Sequence, residues 1–365
     1  MSDIIARVRA KIDNNERISD AEALQLFESD DLFGIGQLAS SVNQRKNGDR
    51  VLFNVNRHIN YTNVCVNQCR FCAFSKEPGE SGGYTYNLSQ ILEKAAEANA
   101  AGATELHMVG GLHPELPFEF YLRMMATIKA NNPHMKIKAF TAVEIDYFAK
   151  ISQLPVEEVI SELKRLGLDS TPGGGAEILC AQVRNQICPE KISGERWLEV
   201  TEKIHTGGLK SNATMLFGHV ESYADRVDHM AKLRALQDKT GGFQSFIPLA
   251  FQPDNTRIPN AKGPGGIDSL KTLAISRIYL DNFQHIKAYW IMLGLKIAQV
   301  ALCFGVNDLD GTVVEEKIGH DAGADSPQQL EKQEIIRQIR NAGKIPVERD
   351  TLYQHIRVYD DIAND

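Results

Sequence analysis

From about residue 51 onward, short runs rich in β-branched and aromatic residues alternate with stretches of helical period. VLFNVN with RHINYTNV, TELHMVGG, KIKAFTAVEI, LDSTPGGGAEI, LKSNATMLFG, FQSFIPLAF and IKAYWIML read as strands. Between them the spacing predicts helices over 88–101, over PFEFYLRMMATIKA, from Pro155 to Gly167, and near 194–206, 223–238, 267–282 and 295–304. Parallel strands need such crossover helices, and six to eight repeats in this length predict an α/β fold of the TIM type, a (β/α) barrel expected to have eight strands. A doubly wound open sheet is the alternative, but it places a Gly-rich turn at its first βα junction, where this chain has cysteines.

The barrel is expected over residues 51–325, with a helical extension over 1–50 and a further extension over 326–365 packed on it. In the first, Ser19 followed by Glu22 is a capping box opening an amphipathic helix. In the last, SPQQLEKQEIIRQIRNAGKIP reads as a helix ended by Gly343, a helical cap on the barrel.

A barrel of this kind does its chemistry at the C-terminal ends of its strands. There lie Cys65, Cys69 and Cys72 in NYTNVCVNQCRFCAFSK, then GGLHPE, AVEI, PGGGAE, GHVE and QPDNT. Three thiolates spaced x3 and x2 can face one inorganic centre while leaving it a ligand short. A structural zinc wants four protein ligands, and the sequence has no second CxxC or HxxxH pair. A four-iron cluster with one open iron fits better, and a zinc knuckle completed by a distant residue is the alternative. Cys180, Cys188 and Cys303 are scattered, read as buried apolar residues rather than a disulfide framework, and suit a reducing cytoplasm.

Net charge of −7 and no lysine or arginine run longer than two argue against a nucleic-acid partner. With no apolar run of about 18 residues, no membrane insertion is expected. A small-molecule substrate follows. For an anionic one the strand ends supply five candidate cations: Arg57, His58, His113, His219 and Lys287.

The spacing CVNQCRFC, with Phe71 before the last cysteine, resembles the CxxxCxΦC signature of the radical S-adenosylmethionine (SAM) enzymes. That resemblance implies a [4Fe-4S] cluster whose free iron chelates the amino and carboxylate groups of SAM, and whose electron cleaves the sulfonium to a 5′-deoxyadenosyl radical. Phe71 could lie against the adenine. Gly110 and Gly111 stand where the superfamily has a GGE-like element whose backbone holds the methionine end, with Leu112 in place of the usual glutamate. Glu144 and Glu177 are the candidates for the ribose hydroxyls, since a carboxylate binds a vicinal diol with two hydrogen bonds.

Longer phrases narrow the resemblance. GGLHPELPFEFYLRMM, IKAFTAVEI, STPGGGAEIL, SNATMLFGHVE, GGFQSFIPLAF and NDLDGTVVEEKIGHDAGA are similar to the aminofutalosine synthase family, from about Arg57 to Leu352. The resemblance implies that the adenosyl radical adds to the enol ether of 3-[(1-carboxyvinyl)oxy]benzoate, with aryl migration and loss of carbon dioxide, to give 6-amino-6-deoxyfutalosine for menaquinone. Dehypoxanthine futalosine cyclase, which abstracts hydrogen, shares the cysteine spacing and is the alternative; a non-catalytic metal-binding scaffold is the third reading. A low-potential donor such as flavodoxin or ferredoxin is implied as a partner. The dicarboxylate substrate calls for a cation in the barrel mouth, and Arg57 is the first choice because guanidinium binds carboxylate bidentately, with His113 next.

Overall fold

The computed structural model describes residues 3–360. Eleven strands order the chain: β1 (Arg50–Asn54), β2 (Asn56–Ile59), β3 (Glu105–Met108), β4 (Lys136–Ala139), β5 (Ser170–Thr171), β6 (Lys210–Phe217), β7 (Phe243–Ala250), β8 (His285–Ile286), β9 (Asp308–Gly311), β10 (Ile345–Arg349) and β11 (His355–Val358). The seven strands β2 to β8 pair in sequence order, all parallel, into one curled sheet. Isolated bridges from Lys287 to Asp308 and from Arg57 to Val314 bring β9 and the residues after it between β8 and β2. Bonds from Ala288 N to Asp308 O and from His58 N to Val314 O seal those seams. Eight parallel strand positions thus ring the centre, as the βα rhythm predicts.

Strand parity decides what faces the centre. On β2, Arg57 points out to Glu97 of the helix Leu88–Ala100, while His58 points in. On β3, Leu106 and Met108 pack outward in the apolar core, while Glu105 and His107 face inward. The helices bury their apolar stripes on the outer surface. In Val156–Arg165, for example, Val156, Val159, Ile160 and Leu163 are buried while the polar residues stay outside.

Three helices, Asp3–Asp13, Asp20–Glu28 and Leu32–Asn47, precede β1, and the expected capping box of Ser19 and Glu22 forms. The last of them packs on the helix Gly266–Tyr279 of the barrel.

Four readings of the sequence are corrected. AVEI does not extend the strand of Lys136: it opens the helix Ala142–Ser152, because Thr141 and Glu144 form a capping box of their own. IKAYWIML gives only the short β8 before Trp290–Leu293 turns helical. DLDG, absent from the expected strands, is the eighth barrel strand. Its polar Asp308 and Asp310 hide the apolar alternation that marks a strand, because they face buried cations.

The fourth correction is the tail. Its helix begins at Lys332 rather than at Ser326, and it goes on to form β10 and β11. With β1 and β9 these make a four-stranded sheet at the N-terminal end of the barrel. Arg349 and Thr351 then plug the interior from below. Thr351 Oγ1 meets Ser170 Oγ at 3.0 Å, and Arg349 Nε donates to Asp308 Oδ2 at 2.9 Å. All six cysteines are free, but only Cys188 of the scattered three is buried; Cys180 is half-buried and Cys303 exposed.

Candidate active site

A cavity of about 280 Å³ opens at the C-terminal ends of the strands. Cys65, Cys69, Cys72 and Phe71 line it from the loop after β2, Gly110 and Gly111 from the end of β3, Gly173 to Gly175 and Glu177 from the loop after β5. His58 and His107 line its lower part.

Backbone bonds hold the cysteine loop from several sides. Cys65 N donates to Lys76 O at 3.0 Å, Val66 N to Leu112 O at 3.0 Å and Arg70 N to Ile187 O at 2.7 Å. Arg257 closes the far side, its N donating to Arg70 O at 2.6 Å and its Nη2 to Cys69 O at 3.3 Å. The glycines after β3 answer to sterics. A Cβ on Gly110 would lie 2.5 Å from the Tyr61 ring, and one on Gly111 would lie 2.2 Å from Val64 O, so only glycine lets this strand end meet the cysteine loop.

Burial pushes the Cys65 thiol up, and pushes that of Cys69 up to about 12, with the Lys191 ammonium pulling the other way. Thiolates at these positions therefore need positive charge, which iron supplies. Among the described residues no three His, Cys, Asp or Glu side chains gather closely enough for a single metal ion. The three free thiols on one cavity wall fit the wider four-iron cluster.

Glu144 is buried and fully engaged. Its Oε1 accepts from Tyr61 OH at 2.5 Å and Gly110 N at 3.2 Å; its Oε2 accepts from Thr141 N at 2.7 Å and Thr141 Oγ1 at 2.8 Å. Burial raises its carboxyl group while these donors stabilise the charge. A carboxylate has about four acceptor positions, so none is left for a ribose, and Glu144 instead ties Gly110 to the next helix. That overturns one of the two ribose candidates.

The other, Glu177, sits in the left-handed region at φ 47. Its Oε1 accepts from Lys191 Nζ at 2.7 Å, and Oε2 has no hydrogen-bond partner among the described residues. Lys191 also lies 5.1 Å from the Phe71 ring centroid. Arg184 organises the loop that carries Glu177, donating to the carbonyls of Ala176 at 2.6 Å and Ile178 at 3.2 Å.

The two first choices for the substrate cation, Arg57 and His113, are overturned too. Arg57 is outside the cavity, its guanidinium held by Glu97 at 2.7 Å and Glu315 at 3.1 Å. His113 is half-buried on the outer side of the glycine turn, its Nδ1 accepting from Glu115 N at 3.1 Å. His219 is spent on Leu216 O and Val220 N, and Lys287 on Asp310. Of the five, only His58 faces the cavity. Sequence reading missed His107, Lys191, Asp310 and Glu316. For His107 the signal existed: in E-L-H-M the polar residues alternate with apolar ones, which puts His107 on the same face of β3 as Glu105.

The fold and site together define a radical SAM enzyme. The radical SAM superfamily model matches residues 59–233, and the CofH/MqnC C-terminal region model matches residues 240–362. Among solved structures, methylornithine synthase superposes with a TM-score of 0.74 at 14% identity, covering 93% of this chain and 97% of that one. The FeFe-hydrogenase maturase of Carboxydothermus hydrogenoformans gives 0.74 at 18% identity, covering 96% and 80%. These likenesses speak for the fold.

Sequence relatives are more particular. The chain is 45% identical to the aminodeoxyfutalosine synthase of Thermus thermophilus over 97% of its length and 96% of the relative's. It is 43% identical to that of Streptomyces coelicolor over 96% and 93%. A 5-amino-6-(D-ribitylamino)uracil–L-tyrosine 4-hydroxyphenyl transferase of Methanopyrus kandleri is 44% identical over 86% of each. The chain belongs to the aminodeoxyfutalosine synthase family of radical SAM enzymes, which use a [4Fe-4S] cluster and SAM. No helix of the described residues is long and apolar enough to cross a membrane.

Proposed function

We propose that this enzyme joins the 5′-deoxyadenosyl group of SAM to 3-[(1-carboxyvinyl)oxy]benzoate, giving 6-amino-6-deoxyfutalosine for menaquinone biosynthesis. The observation that carries this reading is the similarity to aminodeoxyfutalosine synthases along 97% of the chain, with the cysteine loop and the glycine strand end on one cavity. Cys65, Cys69 and Cys72 would hold the cluster, which when bound supplies the electron that cleaves SAM. Gly110 and Gly111 present backbone to the methionine end. Glu177, with its free Oε2, takes the ribose, and Phe71 lies beside the nucleoside. The apolar upper walls, from Leu216, Ile247, Leu249 and Phe251, keep water from the alkyl radical.

The adenosyl carbon adds to the enol-ether double bond, the carbon radical so formed attacks the ether-bearing ring carbon, and the ring–oxygen bond breaks as the aryl group moves to carbon, leaving the unpaired electron on oxygen. Cleavage of the bond to the neighbouring carboxylate turns that oxygen into the product ketone, releasing carbon dioxide and one electron, which the cluster would take back. A low-potential flavodoxin or ferredoxin in a reducing cytoplasm is the electron source we assign to it.

The test is anaerobic incubation of the iron-reconstituted protein with SAM, a strong reductant and the enol ether, with mass spectrometry of the nucleosides. A product joining adenine to the benzoate skeleton is expected. Release of 5′-deoxyadenosine alone would instead favour hydrogen abstraction, the alternative represented by the 39% identical cyclic dehypoxanthine futalosine synthase. Recovery of intact SAM would overturn both.

A further inference from the structure

His58 and His107 are paired in register on β2 and β3, and their rings stack with centroids 4.4 Å apart and planes 6° from parallel. His58 is 6% exposed. Its Nε2 is buried with no hydrogen-bond partner, and His107 comes no nearer than 4.0 Å to the Glu105 carboxylate. Two imidazoles lining a cavity without one side-chain hydrogen bond between them are unusual, because buried polar groups almost always have partners.

The carboxylates and the lysine that line the cavity each already have a charged or hydrogen-bonding partner. Lys191 holds Glu177, Glu144 serves its four donors, and Asp310 faces Lys287 at 3.2 Å. Glu316 accepts from Gly319 N at 3.0 Å and lies 3.3 Å from His320. The two imidazoles are the basic side chains of the lining with no hydrogen-bond partner among the described residues.

Their depth is informative. Both histidines are the penultimate residues of their strands, below the cysteine loop. One inward step lower, Glu105 accepts from Lys138 at 3.0 Å, and that pair closes the barrel. A substrate whose vinyl carbon must meet the adenosyl carbon beside the cysteines directs its ring toward this floor. Resting on the reaction proposed above, we infer that His58 and His107 form the subsite for the benzoate carboxylate, each neutral ring donating an N–H to it.

The test compares 3-[(1-carboxyvinyl)oxy]benzoate with 2-phenoxyacrylate, which lacks only the ring carboxylate, in cluster-loaded wild-type enzyme and the variants His58→Phe and His107→Phe. Loss of a hydrogen bond to a charged group predicts a rise in KM for the dicarboxylate of about ten- to a hundredfold, with phenoxyacrylate unaffected. Iron content and SAM binding should stay at wild-type level. Variants that keep the wild-type preference for the dicarboxylate overturn the subsite.

A second measurement needs no variant. In folded wild-type enzyme the dicarboxylate, but not phenoxyacrylate, should protect His58 and His107 from carbethoxylation by diethylpyrocarbonate, mapped by peptide mass spectrometry. Equal modification with and without the dicarboxylate overturns the proposal. Protection by a dicarboxylate that yields no adenosyl adduct would leave the subsite standing and sink the reaction instead.

Discussion

The cysteine loop and the barrel floor are both polar sites inside one barrel, yet they are built in opposite ways. The loop draws its three sulfurs from eight consecutive residues, Cys65 to Cys72, and its shape is held by backbone bonds. The floor gathers Glu105, Lys138, Asp308, Asp310 and Arg349 from four strands, β3, β4, β9 and β10, with Lys287 just after β8, and it is held by side-chain charge. A local site keeps its chemistry in a spacing, whereas an assembled site keeps it in the topology. Losing the first should leave the chain folded, whereas cutting the second should loosen the barrel.

The largest expected effect separates the two. Cys69→Ala should abolish both cluster iron and adduct formation while leaving the unfolding curve of the iron-free protein nearly in place. Iron analysis, product mass spectrometry and urea unfolding check it together, and an active variant would refute the cluster assignment. Asp308→Ala should do the reverse. Asp308 and Arg349 are both 0% exposed, with Arg349 Nε at 2.9 Å and Nη2 at 2.8 Å from Asp308 Oδ2. Leaving a buried guanidinium without its partner costs about 3–5 kcal/mol. The variant should bind iron in its folded fraction but unfold at much lower urea; an unchanged midpoint would mean that the floor is not what closes the barrel.

This division also explains what could be read in advance. The barrel was legible because the apolar stripes of helices such as Val156–Arg165 repeat between strand-like runs, and the cluster ligands because their spacing is local. Arg57 and His58 show where legibility stopped. They are adjacent, both cationic in principle, and on opposite faces of β2, so choosing between them required knowing which face looks inward. The helical start at Thr141 was in the sequence as T-x-x-E, but the preceding apolar run drew it into a strand. β9 could not be seen at all from hydrophobicity, since its inward residues are aspartates whose partners are Lys287, just after β8, and Arg349 on β10, 23 and 41 residues away in the chain.

Between loop and floor sits Glu144, which belongs to both kinds of site: its capping box is local, while its bonds to Tyr61 and Gly110 span the barrel. Glu144→Gln replaces an oxygen that accepts two bonds with an amide nitrogen that must face donors. One or more buried donors then lose their acceptor, at about 1–3 kcal/mol. Urea unfolding should show that loss, and SAM affinity should fall with it because Gly110 is released. Unaltered SAM binding in a destabilised variant would make Glu144 a helix cap and nothing more.

The smallest expected effect concerns the segment 316–322, from which Glu316, Ile318 and Ala322 reach the cavity. His320 Nδ1 lies 2.7 Å from Glu316 O and Nε2 lies 3.0 Å from Ser326 O, so both ring nitrogens face acceptors and the ring is best satisfied as imidazolium. The Glu316 side chain, the first cause, raises the pKa of His320 to about 9 from an ordinary 6.5, against the opposing effect of burial. Because the folded state holds this proton more tightly than the unfolded one, the stabilisation is complete below about 6.5 and is lost as pH rises through about 9. Wild-type urea midpoints should therefore decline across that window, and His320→Gln should flatten the decline without changing iron content. His58 and His107 add no such slope in this range, since burial keeps them neutral, with pKa values shifted down. A variant that declined as steeply as wild type would move the pH sensitivity away from this segment and onto another group.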